Sequence, residues 1–233
     1  MESRRKYKHL FFDLDRTLWD FNQNSKLALT DILHRYQLVK GMLTPDHFYE
    51  TYCRINDRFW ALYRQGKMSK DVLRKDRFIE ALAEYDIHEE TLAEKISNDY
   101  ITFSPQKTSL VPGTLEVMDY LVERYKLYII TNGFDDIQYV KLNRSGLDKY
   151  FTKTFTSEQV RSSKPEKEIF AHSLSAANAK KDESLMIGDD LEVDIMGAAS
   201  FGIDQVYFNP AGVPHRMNPT YEIRGLTELK NIL

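Results

Sequence analysis

The chain has 233 residues, enough to bury a full hydrophobic core as one large domain or as a core domain with a smaller one. Hydrophobic residues make up 42% and charged residues 29%, which is typical of folded proteins and argues against disorder. The formal net charge of −3 argues against a strongly basic nucleic-acid binder. A single cysteine, Cys53, excludes an internal disulfide and a cysteine-rich zinc site.

The amino terminus is basic, but the apolar run that follows it is short. This run meets Asp13 and Asp15 before it reaches the length of a signal-peptide core. No later stretch approaches the ~18 apolar residues of a membrane span. We therefore expect a cytoplasmic protein with no membrane partner.

Short apolar runs recur along the chain and predict β-strands. The first ends in Asp13-Leu14-Asp15, a later one in Thr131-Asn132-Gly133, and another in Gly188-Asp189-Asp190. In parallel sheets, ligands bind beyond the carboxyl ends of the strands, where such polar residues would lie. The predicted strands cover residues 7–12, 127–130, 153–156 (a weaker run), 185–187 and 205–208.

Helical patterns alternate with these runs, and one of them covers residues 191–200. The alternation predicts an α/β fold, a Rossmann-like parallel sheet core with helices on both faces. Two further helices are opened by Pro112-Gly113 and by Pro165. The inward faces that we predict are Leu115, Met118, Leu121 and Val122 for the first, and Ile169, Phe170 and Leu174 for the second.

Residues 20–105 lack a convincing strand and show helical spacing throughout. Thr44-Pro45 and Ser69 are typical helix starts, and Gly41 and Gly66 are typical helix ends. We predict three or four helices that form a cap domain inserted into a core made of residues 1–19 and 106–233. At the catalytic edge such an insertion would act as a lid; the alternative is a side domain unrelated to the site.

Asp13 and Asp15 are the first candidate site. In a strand, the side chains of residues two apart point to the same face, so these carboxylates would repel each other. A divalent cation would relieve the repulsion, and hard oxygen ligands suit Mg²⁺. The alternative is an ordinary strand-end turn with two solvated acids.

Thr131-Asn132-Gly133 follows the second strand and offers a hydroxyl, an amide and a backbone N–H as donors to phosphate oxygens. A strand-to-turn junction without ligand is the alternative. Lys164-Pro165 would place a lysine at a helix amino terminus, where anions are favoured. Taken alone, a lysine is more often a solvated surface residue, which is the alternative for Lys164.

The last candidate is the segment from Gly188 to Asp194, which has acids at 189, 190, 192 and 194. Acids at a strand end and helix start suggest a metal site. They also favour a helix amino terminus for ordinary dipole reasons, which is the alternative.

Together these motifs, in this order, resemble the haloacid-dehalogenase superfamily of aspartyl-phosphate hydrolases over essentially the whole chain. The helical insertion is similar to that superfamily's first type of cap. Many relatives carry glycine or asparagine where this chain has Arg16, which would place a positive charge at the cap hinge. The branch with pyrimidine 5′-nucleotidases is resembled by Phe12-Asp13-Leu14-Asp15-Arg16-Thr17-Leu18-Trp19-Asp20-Phe21, Thr131-Asn132-Gly133-Phe134 and Lys164-Pro165.

The resemblance implies a Mg²⁺-dependent hydrolase of a small phosphate ester. Among such esters, a nucleotide is the substrate that the resemblance favours. It makes Asp13 the nucleophile and Asp15 the general acid and base. The phosphate oxygens would be bound by Thr131, the backbone of Asn132, and Lys164. Mg²⁺ would be held by Asp13, the backbone carbonyl of Asp15, and Asp189, with Asp194 rather than Asp190 holding the metal's waters.

Other activities share these motifs. Sugar-phosphate and phosphoglycolate phosphatases and phosphomutases stay open. A dehalogenase is disfavoured because it would need neither Asp15 nor a metal. A phospho-acceptor signalling module is disfavoured by its shorter length and lack of a helical insertion. A non-catalytic binding protein would be expected to lack one of Asp13, Asp15, Lys164 or Asp189.

Overall fold

The structure, a computed structural model, describes residues 6–233, which divide into two compact units. One is an α/β unit built from the chain up to Asp20 and from Thr108 onward. The other is a helical unit, Phe21–Lys107. Among the described residues, no helix is both long and apolar enough to cross a membrane.

The α/β unit contains a six-stranded parallel sheet with the strand order β3-β2-β1-β4-β5-β6. The predicted α/β fold and its five predicted strands are confirmed, and the short edge strand β6 is additional. Neighbours on both sides of β1 are in register with it, Leu10 facing Leu127 and Leu185. The strands are β1 (His9–Phe12), β2 (Lys126–Thr131), β3 (Lys153–Thr156), β4 (Ser184–Gly188), β5 (Asp204–Phe208) and β6 (Tyr221–Ile223).

Both faces of this sheet are buried, as expected for parallel strands covered by helices. On one face Phe11, Tyr128 and Met186 pack with residues of the helices Lys167–Ala177 and Gly197–Phe201. The alternate residues of the central strands, such as Leu10 and Ile187, are also fully buried. The apolar runs are therefore continuous rather than alternating because neither face meets water.

The helices of the α/β unit differ from the prediction in two details. Met118 and Leu121 are buried as predicted, but Leu115 and Val122 are exposed, because the buried stripe of their helix continues through Thr114 and Val117. The helix predicted to open at Pro165 begins two residues later. The α-helices are α5 (Thr114–Val122), α6 (Asp135–Ser145), α7 (Ser157–Val160), α8 (Lys167–Ala177) and α9 (Gly197–Phe201), with 3-10 turns at Asp148–Tyr150, Lys181–Glu183 and Leu226–Asn231 and a π-helix at Leu191–Met196.

The helical unit contains no strand within its described residues, as predicted. Thr44 and Ser69 cap helices with their hydroxyls, as predicted, and Gly66 follows a helix end in the left-handed conformation. Gly41 does not end a helix: Gln37 takes the left-handed position first, with a φ of 54°. The helices are α1 (Phe21–Arg35), α2 (Pro45–Arg64), α3 (Lys70–Ala83) and α4 (Glu90–Phe103), followed by a 3-10 turn at Ser104–Gln106.

Candidate active site

The candidate site lies where the strand order of the sheet reverses around β1. In open α/β sheets, the loops that leave neighbouring strands in opposite directions at such a point open a crevice for ligands. Asp13 directly follows β1 and Asp189 directly follows β4, and the Asp13 N–H donates to the Ile187 carbonyl over 2.9 Å. The strand ends at Phe12, as predicted, so Asp13 and Asp15 lie beyond it and the two-residue side-chain period of a strand does not put them on one face.

Lys164 is the centre of the charge network. Its ammonium lies 2.6 Å from Asp13 Oδ1 and 2.7 Å from Asp194 Oδ1, and it donates to the Ile130 carbonyl over 2.7 Å. The residue is 1% exposed. Burial alone would lower the pKa of Lys164, but the two carboxylates reverse this and raise it above its usual value. The lysine is therefore charged throughout the neutral range.

Lys164 is held in place by Asn132 and not by a helix terminus. The Asn132 side-chain oxygen accepts from the Lys164 N–H over 2.8 Å, and its amide donates to the Lys164 carbonyl over 2.9 Å. Since α8 begins only at Lys167, the predicted position at a helix amino terminus is wrong. The contact of the Asn132 backbone with phosphate stays a prediction.

Thr131, the last residue of β2, presents a hydroxyl whose oxygen already accepts two bonds. The donors are the Gly133 N–H at 3.0 Å and the Gln138 amide at 3.3 Å. With both lone pairs used, the hydroxyl proton is the part of Thr131 suited to donate to a phosphate oxygen. The Gly133 N–H, which the sequence pattern offered to phosphate, is bonded within the loop instead. A side chain at 133 would also collide with Gln138, at 1.5 Å from its amide nitrogen.

Asp194 reaches the site from the π-helix that follows β4. Asp190 precedes this helix as its cap residue, and its carboxylate accepts from the N–H groups of Glu192 and Val193. The Asp190 N–H donates to Asp194 Oδ2 over 3.2 Å. Such π-helical turns are frequent at functional sites. The role that the sequence left open for Asp190 is therefore that of a helix cap that also orients Asp194.

Three carboxylates, those of Asp13, Asp189 and Asp194, offer oxygens that lie within 4.8 Å of one another. The Thr17 hydroxyl lies 2.9 Å from Asp189 Oδ1 and 3.4 Å from Asp13 Oδ2. Burial raises the pKa of Asp13 well above its ordinary value; Lys164 opposes the rise, and Asp194 and Asp189 add to it. Burial and Asp194 likewise raise the pKa of Asp189 to about 7, against opposing effects of Thr17 and the Arg16 charge.

This group of acids fits a hard divalent cation. When all are ionised, three carboxylates and one ammonium leave two negative charges in a largely buried space, which is the electrostatic situation that a cation corrects. Asp194 belongs to the group, although the sequence assigned it only to the metal's waters, and its direct partner is Lys164. The Asp15 side chain does not belong to it; the Asp15 carbonyl as a metal ligand stays a prediction.

The Asp15 carboxylate instead faces α6. The Gln138 amide donates to its Oδ2 over 2.9 Å and the Lys141 ammonium to its Oδ1 over 2.6 Å. Sequence reasoning missed both donors, since neither belongs to a motif. Their signal is a polar pair spaced three apart on a helix that is otherwise weakly patterned, which places both on the face toward the sheet.

Comparisons with known proteins find similar sequences and a similar structure. The sequence profile of the family described as "Hydrolase: haloacid dehalogenase-like hydrolase" matches residues 7–202. The pyrimidine 5′-nucleotidase PynA of Streptococcus pneumoniae is 33% identical, with 97% of each chain covered. The pyrimidine 5′-nucleotidase YjjG of Escherichia coli is 30% identical, with 98% of each chain covered. The crystal structure of the HAD-hydrolase YfnB from Bacillus subtilis, bound to magnesium, superposes with a TM-score of 0.88 at 33% identity, covering 98% of this chain and 99% of that one.

Proposed function

The chain belongs to the haloacid dehalogenase-like hydrolase family, in which it is a phosphatase, and we propose that it hydrolyses pyrimidine nucleoside 5′-monophosphates with Asp13 as the nucleophile. The observation that carries the mechanism is the 2.6 Å pair between Asp13 and Lys164. It puts a carboxylate oxygen next to a fixed, buried positive charge, which is where a phosphate group can be bound and attacked. The substrate class rests on the similarity to the two nucleotidases.

In the first step an Asp13 oxygen attacks phosphorus, and the bond from phosphorus to the ester oxygen breaks. Asp15 supplies the proton that the leaving oxygen needs, and an aspartyl-phosphate remains. In the second step Asp15 accepts a proton from water as the water oxygen attacks phosphorus. The acyl phosphate bond then breaks, and inorganic phosphate and the Asp13 carboxylate are restored.

The charge on the phosphoryl oxygens is stabilised by fixed donors. Lys164 presents an ammonium, and the Asn132 side chain holds the backbone of that lysine in place. Thr131 presents a hydroxyl proton. Donors that need no reorganisation are the main source of stabilisation for charge that develops in a transition state.

Asp13, Asp189 and Asp194 supply the oxygen donors that would hold or surround Mg²⁺. When bound, the cation would offset the repulsion between the carboxylate nucleophile and the phosphate. Thr17 would keep Asp189 and Asp13 oriented through its hydroxyl.

The proposal is tested by a screen of phosphate esters with purified protein and Mg²⁺. We expect uridine and thymidine 5′-monophosphates to show kcat/KM values at least tenfold above those of sugar phosphates and phosphoglycolate. Asp13→Asn serves as the control and should lose essentially all activity while its circular dichroism is unchanged. Equal rates for all esters would refute the nucleotide preference, and an active Asp13→Asn protein would refute the nucleophile.

A further inference from the structure

We propose that Lys141, assisted by Gln138, is a positioning residue that holds the carboxylate of Asp15 for proton transfer. This inference rests on the proposed function, in which Asp15 is the general acid and base. It assigns to α6 a task that none of the four sequence motifs contains: fixing the orientation of the proton donor.

Each oxygen of the Asp15 carboxylate has its own donor on α6. Lys141 donates to Oδ1 at 2.6 Å and Gln138 donates to Oδ2 at 2.9 Å. Two separate donors to two oxygens fix the plane of the carboxylate as well as its position. Orientation of this kind is what a group needs in order to transfer a proton to one particular atom.

Both donors are themselves immobilised by burial. The Lys141 side chain is 6% exposed, and its ammonium lies 4.4 Å from the centre of the Trp19 ring, while Gln138 is 1% exposed. Burying an ammonium is costly unless it is paired, so the buried Lys141 ammonium needs its ion pair with Asp15. The Asp15 side chain is 27% exposed and so remains open to solvent.

The same pair assists the chemistry. When Asp15 gives its proton to the leaving oxygen, a negative charge appears on the carboxylate. A fixed ammonium 2.6 Å from one of its oxygens stabilises that charge as it forms. Gln138 also connects Asp15 to the phosphate side of the site, because its amide donates to Thr131 Oγ1 at 3.3 Å.

The test compares Lys141→Met with the wild-type protein on two esters with Mg²⁺: uridine 5′-monophosphate, whose leaving group needs a proton, and p-nitrophenyl phosphate, whose leaving group does not. We expect Lys141→Met to lower kcat for the nucleotide about 10- to 100-fold with KM within about twofold, the range found when supporting residues are removed. The rate of phosphoenzyme formation, measured by rapid quench, should also fall in Lys141→Met. The fold decrease with p-nitrophenyl phosphate should be at least about tenfold smaller than the fold decrease with the nucleotide.

Arg144→Met is the matched control, because it removes a cation from the exposed last turn of the same helix. It should leave both rates unchanged. Lys141→Arg keeps a cation and should recover part of the nucleotide rate. If Lys141→Met reduces the circular dichroism signal, the rates of Lys141→Arg and Gln138→Leu decide instead.

The double variant Lys141→Met/Asp15→Asn separates the two levels of the argument. If Lys141 acts through Asp15, this protein should be no slower than Asp15→Asn alone. The same fractional loss in both backgrounds, or equal losses with the two esters, would overturn the positioning role. A fully active Asp15→Asn protein would instead refute the acid and base role of Asp15. If the wild type does not hydrolyse the nucleotide, the alkyl ester that it hydrolyses fastest takes its place.

Discussion

Two ion pairs of the same length show how the surroundings of a residue decide its energetic effect. Lys164–Asp13 and Lys8–Glu183 both have an N–O distance of 2.6 Å. The Lys164 side chain is 1% exposed and the Lys8 side chain 60%. The first lysine neutralises part of a buried acid cluster, and the second sits in water and salt, where ion pairs contribute little.

Lys164→Met should therefore destabilise the protein strongly in the absence of metal. It leaves three clustered acids, two of them buried, without their cation, and we expect the free energy of unfolding to fall by about 3 kcal/mol, the usual loss when one partner of a buried pair is removed. Urea denaturation at pH 8 with EDTA measures this. Lys8→Met makes the same chemical change at an equal ion-pair distance and should hardly change the urea midpoint. Similar midpoints for the two variants would show that Lys164 is not needed to balance the acids.

At the scale of elements, much of the architecture could be predicted because local sequence patterns determine it. A run that is buried on both faces reads as a continuous apolar strand, and Thr44 and Ser69 cap helices through atoms within three residues of them. The predictions of helix ends and buried faces fail where another residue takes the predicted position. Gln37 ends α1 before Gly41, and α5 is rotated so that Leu115 faces water.

The site could be predicted in part for the same reason. Asp13, Thr131 and Asp189 stand at strand ends, so their approach to one another follows from the parallel sheet alone. The partners of Asp15 could not be predicted, because Lys141 lies 126 positions further along the chain and its contact depends on how α6 packs. The Asn132–Lys164 pairing is likewise a contact between distant loops that no local pattern reports.

The junction of β4 with the π-helix depends on Gly188 for room. A Cβ atom there would lie 2.3 Å from Asp194 Oδ2 and 2.5 Å from its Cγ, so the Asp194 side chain would have to shift from its place in the acid group. We expect Gly188→Ala to cost about 1–3 kcal/mol of stability, as overpacking usually does, and to weaken Mg²⁺ binding about tenfold. Urea denaturation and isothermal titration calorimetry measure the two effects.

Gly225→Ala is the matched control for this substitution. Gly225 has a φ of −131°, and the nearest atom to its added Cβ would be Glu228 Oε1 at 3.6 Å, so the methyl group fits. It should leave stability within about 1 kcal/mol and Mg²⁺ affinity unchanged. Wild-type Mg²⁺ affinity in Gly188→Ala would mean that Asp194 does not need its place beside the strand end.

At the scale of the whole molecule, the candidate site is assembled from distant parts of one unit. The residues that form it run from Asp13 to Asp194, yet all belong to the α/β unit, whose chain is interrupted by the helical unit Phe21–Lys107. Folding brings three like charges together, and their repulsion offsets part of the stability gained from the buried sheet. A cation that binds only the folded state restores this lost stability.

Mg²⁺ should accordingly raise the melting temperature of the protein, and the gain should depend on Asp189. A concentration of 100 times the Kd should add about 2.7 kcal/mol to the free energy of unfolding. Asp189→Asn removes one of the three clustered negative charges. At pH 8 its metal-free form should be at least as stable as the metal-free wild type, while its response to Mg²⁺ should be largely lost. Differential scanning calorimetry with EDTA, with Mg²⁺, and with NaCl at matched ionic strength separates specific binding from screening. A Mg²⁺ response that NaCl reproduces, or that Asp189→Asn retains in full, would show that these carboxylates do not form the metal site.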